Sequence, residues 1–284
     1  MADEHRIDYH AGVAAALKAT YDDKYDFMET IKELILGEKP PRLDEVVLKK
    51  DPVQVLSDEI GSFFREHNVF EIKGYGDGIN IDVILKAQAY ALFYKTIDRH
   101  VNEIPFESIT ITALQYRYPR ETFKELEKEG CAIKERSKGV WVITGPKVML
   151  PFQIVDVDIL GDEWAVLKVL VPGASEKHIQ KVQNEFEQTS DPIHRQHLAD
   201  VLRTSVASNP ETYTKMREAG KMSEAVEYIF ADKIEEIAEK KEEKTIENML
   251  RDNVKAETIT KWTGASIEKI AAIAKKIGIS TLTL

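Results

Sequence analysis

Apolar residues recur at helical spacing over residues 10–21, HAGVAAALKATY, where Val13, Leu17 and Tyr21 form one stripe among helix-favouring alanines. Residues 25–36, YDFMETIKELIL, fit two patterns. Phe27, Ile31, Leu34 and Ile35 suit a helix, while the alternation of Phe27, Glu29, Ile31, Glu33 and Ile35 with their neighbours is a less clean strand signal. Periodicity leaves that choice open. Gly37 and the Pro40-Pro41 pair end the element, and 42–49, RLDEVVLK, reads as a short strand with Asp44, Val46 and Leu48 on one face. Ile60, Phe63 and Phe64 after Ser57 suggest a short helix. A strand follows at 69–73, with Val69, Glu71 and Lys73 pointing one way and Phe70 and Ile72 the other.

A glycine-rich loop over 74–78 leads into a helix expected at 79–98, whose apolar positions include Ile84, Leu85, Ala89, Leu92 and Phe93. Residues 108–114, SITITAL, read as a strand. Pro119 opens a helix that Gly130 ends. Residues 131–145 form a hairpin pattern around Ser137-Lys138-Gly139, and 152–160 reads as one more strand. From about Ser175 the pattern becomes helical, at 175–189, 191–207, 210–219, 222–251, 256–262 and 266–277. The Glu- and Lys-rich run 231–250 reads as a solvated helix face. Ser266 is placed to cap the last helix. The expected organisation is α/β (α+β) over 1–173 and a helical region over 174–284 ending in a helix-turn-helix-like hairpin.

Composition narrows the function classes. The chain has 284 residues, 43% hydrophobic and 31% charged, and a net charge of −10. A protein this acidic does not bind nucleic acid by coating phosphates, because that affinity comes from Lys and Arg. Contact must be local, through a basic patch or a metal. The single cysteine, Cys131, makes no internal disulfide, which fits a reducing cytoplasm. The charged N-terminal residues do not read as a signal peptide, and no stretch approaches a membrane span. A cytoplasmic location is the expectation. Gly-rich phosphate loops, Ser/His/Asp arrangements and CxxC pairs do not occur.

Asp44 and the pair Glu71/Lys73 are the most informative residues. Two carboxylates on neighbouring strands can hold a hard divalent cation, and Mg²⁺ bound this way keeps several waters. A lysine two residues from one carboxylate shares its strand face, where it can orient a water or neutralise charge developing on a phosphate. The bland reading is a strand-edge ion pair. Glu-x-Lys recurs as Glu239/Lys241 and Glu242/Lys244, but in a helical run where residues two apart do not share a face. Lys86 and Tyr90 share a face of the helix after the strand, and Gln88 lies on another side.

These residues, carried by RLDEVVLKK and SDEIGSFFREHNVFEIKGYGDGINIDVILKAQAYALFYKTI, resemble PD-(D/E)XK nuclease-like proteins. The resemblance is closest to the Rpn-like (recombination-promoting nuclease/putative transposase) group of bacteria. It implies a restriction-endonuclease-like core of αβββαβ order, with 25–36 as first strand, 42–49 as second and 69–74 as third. It implies Asp44 and Glu71 as metal ligands, Lys73 as catalytic lysine, Glu59 as a weaker metal candidate, and Lys86 or Gln88 near the scissile phosphate. The implied activity is hydrolysis of phosphodiester bonds, DNA before RNA, with Mg²⁺ or Mn²⁺. The rival expectation is an inactive nuclease-fold protein that binds or assembles, associated with mobile elements, and self-associates through its helical region as a homodimer.

Weaker signals have bland readings. His194 and His197, three apart on a helix, could ligate a metal but are expected at the surface. His10 is expected to be structural, and Trp141 and Trp164 to be core or interface anchors.

Overall fold

The computed structural model describes residues 9–32, 43–96 and 100–279, with side chains except those of 234–238. The α/β part runs α1 (Tyr9–Thr20), β1 (Met28–Lys32), β2 (Glu45–Lys49), β3 (His67–Ile72), α2 (Ile81–Thr96) and β4 (Ile109–Gln115). It continues through α3 (Arg120–Lys128), β5 (Ala132–Ser137), β6 (Val140–Thr144), β7 (Phe152–Asp156) and the short α4 (Ala165–Lys168). Of the expected element 25–36, residues 28–32 are strand, 25–27 precede it outside the strand, and 33–36 lie outside the described residues. The strand expected at 152–160 stops at Asp156, whose side chain accepts from the Asp158 amide and turns the chain.

The strands form one seven-stranded sheet in the order β1-β2-β3-β4-β7-β6-β5. β1, β2 and β3 are an antiparallel meander. α2 carries the chain across so that β4 lies parallel to β3, and β7 lies parallel to β4. The β5–β6 hairpin completes the sheet antiparallel.

Strand alternation gives the sheet two distinct faces. Val46, Val69, Ile111, Ala113 and Ile154 pack with Ile84, Ala87 and Ala91 of α2 and with Phe123 and Leu126 of α3. On the other face Phe70 meets Phe64 at 5.6 Å between ring centroids, and Phe64 meets Tyr21, beyond the end of α1, at 5.3 Å. That face also buries two polar cross-strand pairs. Thr110 Oγ1 donates to Asn68 Oδ1 at 2.5 Å, and Gln153 Nε2 donates to Thr112 Oγ1 at 2.8 Å, all four residues being inaccessible to solvent.

The helical part comprises α5 (Glu176–Gln188), α6 (Pro192–Ser208), α7 (Pro210–Glu218), α8 (Glu224–Arg251), α9 (Ala256–Thr263) and α10 (Ile267–Lys276). The chain divides into compact units at Val226/Glu227, not at the expected 173/174. Packing explains the difference: α1 lies against α6, and Gly12 permits it, since a Cβ there would come within 2.7 Å of Thr204 Cγ2 and 2.9 Å of Leu170 Cδ2. Helices α5 to α7 thus belong to the unit that contains the sheet. The second unit has its own core of Ile246, Leu250, Ile259, Ile270 and Ile273. Within it, Gly264 at φ 77° ends α9 and Ser266 caps α10 by accepting from the Lys269 amide, as expected.

Candidate active site

Polar residues concentrate at one edge of the sheet, where the parallel strands β3 and β4 end and β2 begins. Ligands bind at the carboxyl ends of strands in open α/β sheets because the loops there are free to carry chemistry. Glu71 is 5% exposed, and its Oε1 accepts a charge-assisted bond from Lys73 Nζ at 2.7 Å. Lys73 stands one residue past β3, and its amide still donates to Leu114 O of β4.

Asp44 stands one residue before β2, and continuing the β2/β3 register by one step sets it opposite Glu71. Since the Lys73 amide points to β4, the Ile72 amide points toward β2, where the ladder has ended. Asp44 Oδ2 accepts from that amide at 2.7 Å, and Asp44 Oδ1 lies 3.4 Å from His10 Nδ1 of α1. Asp44, Glu71 and Lys73 are therefore brought together, with His10 beside them. Gly74 lets α1 reach this edge: a Cβ there would lie 2.8 Å from the Tyr9 ring.

The other sequence candidates lie elsewhere. Glu59 Oε2 accepts from the Trp164 indole at 2.9 Å, and the neighbouring Ile60 carbonyl accepts from Gln153 Nε2, on the sheet face opposite to that of Glu71. Gln88 is buried and pins the 147–149 loop to α2, its Nε2 donating to Lys147 O at 2.8 Å and its Oε1 accepting from the Met149 amide at 2.6 Å. Lys86 lies over the Tyr90 ring at 5.1 Å, the helical neighbour its spacing indicated. Trp141 and Trp164 are buried, as expected of core anchors.

The same edge carries two buried polar residues that strand patterning did not single out. Gln115, at the end of β4, accepts from the Ile79 amide through Oε1 at 3.0 Å and so ties down the loop that follows β3. Asp156, paired with it in register on β7, is 1% exposed. Burial pushes its carboxyl up to about 6, the nearby Asp158 adds to the rise, and the Asp158 amide and Lys168 oppose it. Below the ordinary value near 3.8 both folded and unfolded chains hold the proton, so Asp156 leaves stability unchanged. As pH rises from there to about 6, the unfolded chain ionises first and stability falls. Asp156→Asn, which keeps an acceptor for the Asp158 amide, is expected to be more stable than the parent by about 1–2 kcal/mol at pH 7.5, with the gain absent at pH 3.5. Urea unfolding at the two pH values measures it.

The expected surface position of His194 and His197 is corrected by a contact across 171 residues of sequence. Both Nδ1 atoms meet Asp23 Oδ2, at 2.6 and 2.8 Å, and His194 Nε2 meets Glu185 Oε1 at 3.0 Å. The cluster joins the turn after α1 to α5 and α6, and His194 is 7% exposed.

Among the described residues no group of three or more His, Cys, Asp and Glu side chains is disposed to hold a metal ion. Asp44 and Glu71, opposite one another in the continued β2/β3 register, are two carboxylates at that edge. Among the described residues no helix is long and apolar enough to cross a membrane. Scans against protein-family models, curated proteins and solved structures find no match to this chain.

Proposed function

We propose that the chain is a divalent-metal-dependent nuclease of PD-(D/E)XK type that hydrolyses phosphodiester bonds, DNA before RNA. The observation that carries the reading is the Glu71–Lys73 ion pair at the end of β3 with Asp44 bonded to the same strand's Ile72 amide. The order α1, β1, β2, β3, α2, β4, with three antiparallel strands and a fourth parallel to the third, supports it by agreeing with the core that the resemblance implies.

Asp44 and Glu71 would hold Mg²⁺ or Mn²⁺, which supplies an acidified water and polarises the phosphate. The Ile72 amide orients Asp44 by occupying Oδ2. Glu71 keeps the Lys73 ammonium at the strand end, where positive charge favours a phosphate as negative charge builds on its oxygens.

A second reading has its own observation. The Glu71–Lys73 contact and the Asp44 cap on the ladder satisfy one another without any ligand, as they would in an inactive nuclease-fold protein that binds or assembles. Cleavage of supercoiled plasmid, single-stranded DNA and RNA with Mg²⁺ or Mn²⁺ separates the two. Cutting that needs metal, stops with EDTA and is lost in Asp44→Ala is the expected result. Cutting that persists in Asp44→Ala defeats the nuclease reading at this site, and failure to cut any substrate by folded protein favours the second reading.

A further inference from the structure

Residues 116–119, which follow β4, stand beside the candidate site, because β4 runs parallel to β3 and the Lys73 amide still pairs with Leu114 O. The segments that follow the two strands are fastened to one another. Gln115 Oε1 accepts from the Ile79 amide, and Thr122 Oγ1 donates to Ile79 O. Arg117 lies along the same loop. A Cβ on Gly78 would sit 2.5 Å from Arg117 Nη2 and 3.4 Å from its Cζ, so glycine there leaves the guanidinium room against the loop. Arg117 is exposed. The ion pairs beside it are Glu71–Lys73 and Glu121–Lys124, and among the described residues none includes Arg117.

Tyr118 adds a flat apolar surface next to that charge. Its ring meets Phe123 at 87° and Trp141 at 72°, each 5.4 Å between centroids. Phe123 and Trp141 belong to the layer that also holds Val69 and Ile111, so Tyr118 rises on the side of the sheet that carries Glu71. The two edge contacts fix the ring, yet Tyr118 remains 51% exposed. A ring already ordered and open to solvent loses little freedom when a second ring stacks on it.

Charge decides which nucleic acid fits this edge. Asp77 on the loop, Asp82 in the first turn of α2 and Glu121 in that of α3 interrupt the positive charge of Lys73, Arg117 and Arg120. That is not the continuous basic surface a duplex needs, whose bases are turned inward and whose affinity comes from its phosphates. A single strand presents unpaired bases, and each stacked base adds binding that requires no cation. A cation beside an aromatic platform matches one nucleotide of such a strand.

We propose that this edge takes single-stranded nucleic acid, with a phosphate on Arg117 and the adjoining base stacked on Tyr118. The assignment rests on the nuclease reading of Asp44, Glu71 and Lys73 and adds the substrate class. DNA and RNA share the chemistry that Arg117 and Tyr118 recognise.

The test is fluorescence anisotropy of the full chain in EDTA, where cleavage does not compete, with oligo(dT), oligo(U) and a DNA duplex of equal length. Single strands are expected to bind about tenfold more tightly than the duplex, and the tighter of the two names the sugar. Tyr118→Ala is expected to weaken single-strand binding by about 5- to 150-fold, and Tyr118→Phe to retain it. Because Tyr118→Ala also removes packing on Phe123 and Trp141, a thermal melt accompanies it. Arg117→Ala, at an exposed side chain with no ion pair, avoids that risk and is expected to reduce the slope of log affinity against log salt by about 0.7. Duplex bound as tightly as single strands overturns the proposal. So does a Tyr118→Ala affinity or an Arg117→Ala salt slope equal to the parent's, or failure of folded protein to bind any of the three. Binding as expected without metal-dependent cutting supports this contact and defeats only the nuclease reading.

Discussion

Lys73→Ala is expected to lower metal-dependent cleavage by about 100- to 1000-fold, the scale of losing one preorganised charge at a developing oxyanion. The fold should survive the change. Lys73 lies past the last residue of β3 and its side chain is 20% exposed, so truncation opens no deep cavity. Its amide bond to Leu114 O belongs to the backbone and persists. The side-chain partner Glu71, 5% exposed, loses its counter-ion at 2.7 Å, which is expected to lower stability by about 1–3 kcal/mol without unfolding the strand. Lys73→Arg retains the charge with a planar guanidinium in place of a compact ammonium, so it should recover only part of the rate. Single-turnover cleavage with saturating Mn²⁺, beside a thermal melt of each variant, is the measurement. Full activity in Lys73→Ala would remove Lys73 from the chemistry and leave it a strand-edge ion pair.

His194→Leu is expected to destabilise the sheet-containing unit by about 2–4 kcal/mol, as loss of one partner of a buried charged network does. Both ring nitrogens of His194 face carboxylate oxygens, and the Asp23 side chain is only 3% exposed. Leucine would leave Asp23 with the His197 contact at 2.8 Å alone. Lys24, 3.7 Å from Glu185, would continue to offset that carboxylate. Urea unfolding measures the loss. Asp23→Asn in the same background should cost less than it does in the parent, because the charge it removes has already lost its best partner.

Much of the sheet-containing part was legible because its signals are local. Pro119 and Gly130 bracket α3, Ser137-Lys138-Gly139 turns the β5–β6 hairpin, and Glu71 and Lys73 share a strand face. What was not legible depends on distant partners. Spacing three apart on α6 says nothing about Asp23, which makes His194 an inward residue. Pro172-Gly173 marks a bend in the chain, whereas the unit boundary is set by the packing of α6 on α1. Gln88 looks like a helix-surface amide until the 147–149 loop folds onto it, and Glu59 looks like a site acid until Trp164 engages it. Residues 25–36 were ambiguous because their apolar positions satisfy both periods. Pairing of 28–32 with β2 decides for the strand.

The two buried polar pairs between strands have a consequence for how the chain finds its alignment. Asn68 meets Thr110, and Thr112 meets Gln153, only when β3, β4 and β7 are paired as they are. Sliding β4 by one residue would turn Thr110 and Thr112 into the layer beneath α2 and send Ile111 and Ala113 to the other side. Sliding it by two so that Thr112 meets Asn68 would keep every side chain on its proper face but set Gln153 against Leu114, parting the Thr112–Gln153 bond inside a dry interior, where a lost polar contact costs about 1–3 kcal/mol. Apolar contacts alone would tolerate the second error far better than the first. The Thr112–Gln153 bond penalises that second error as well, so it acts as a check on strand alignment during folding.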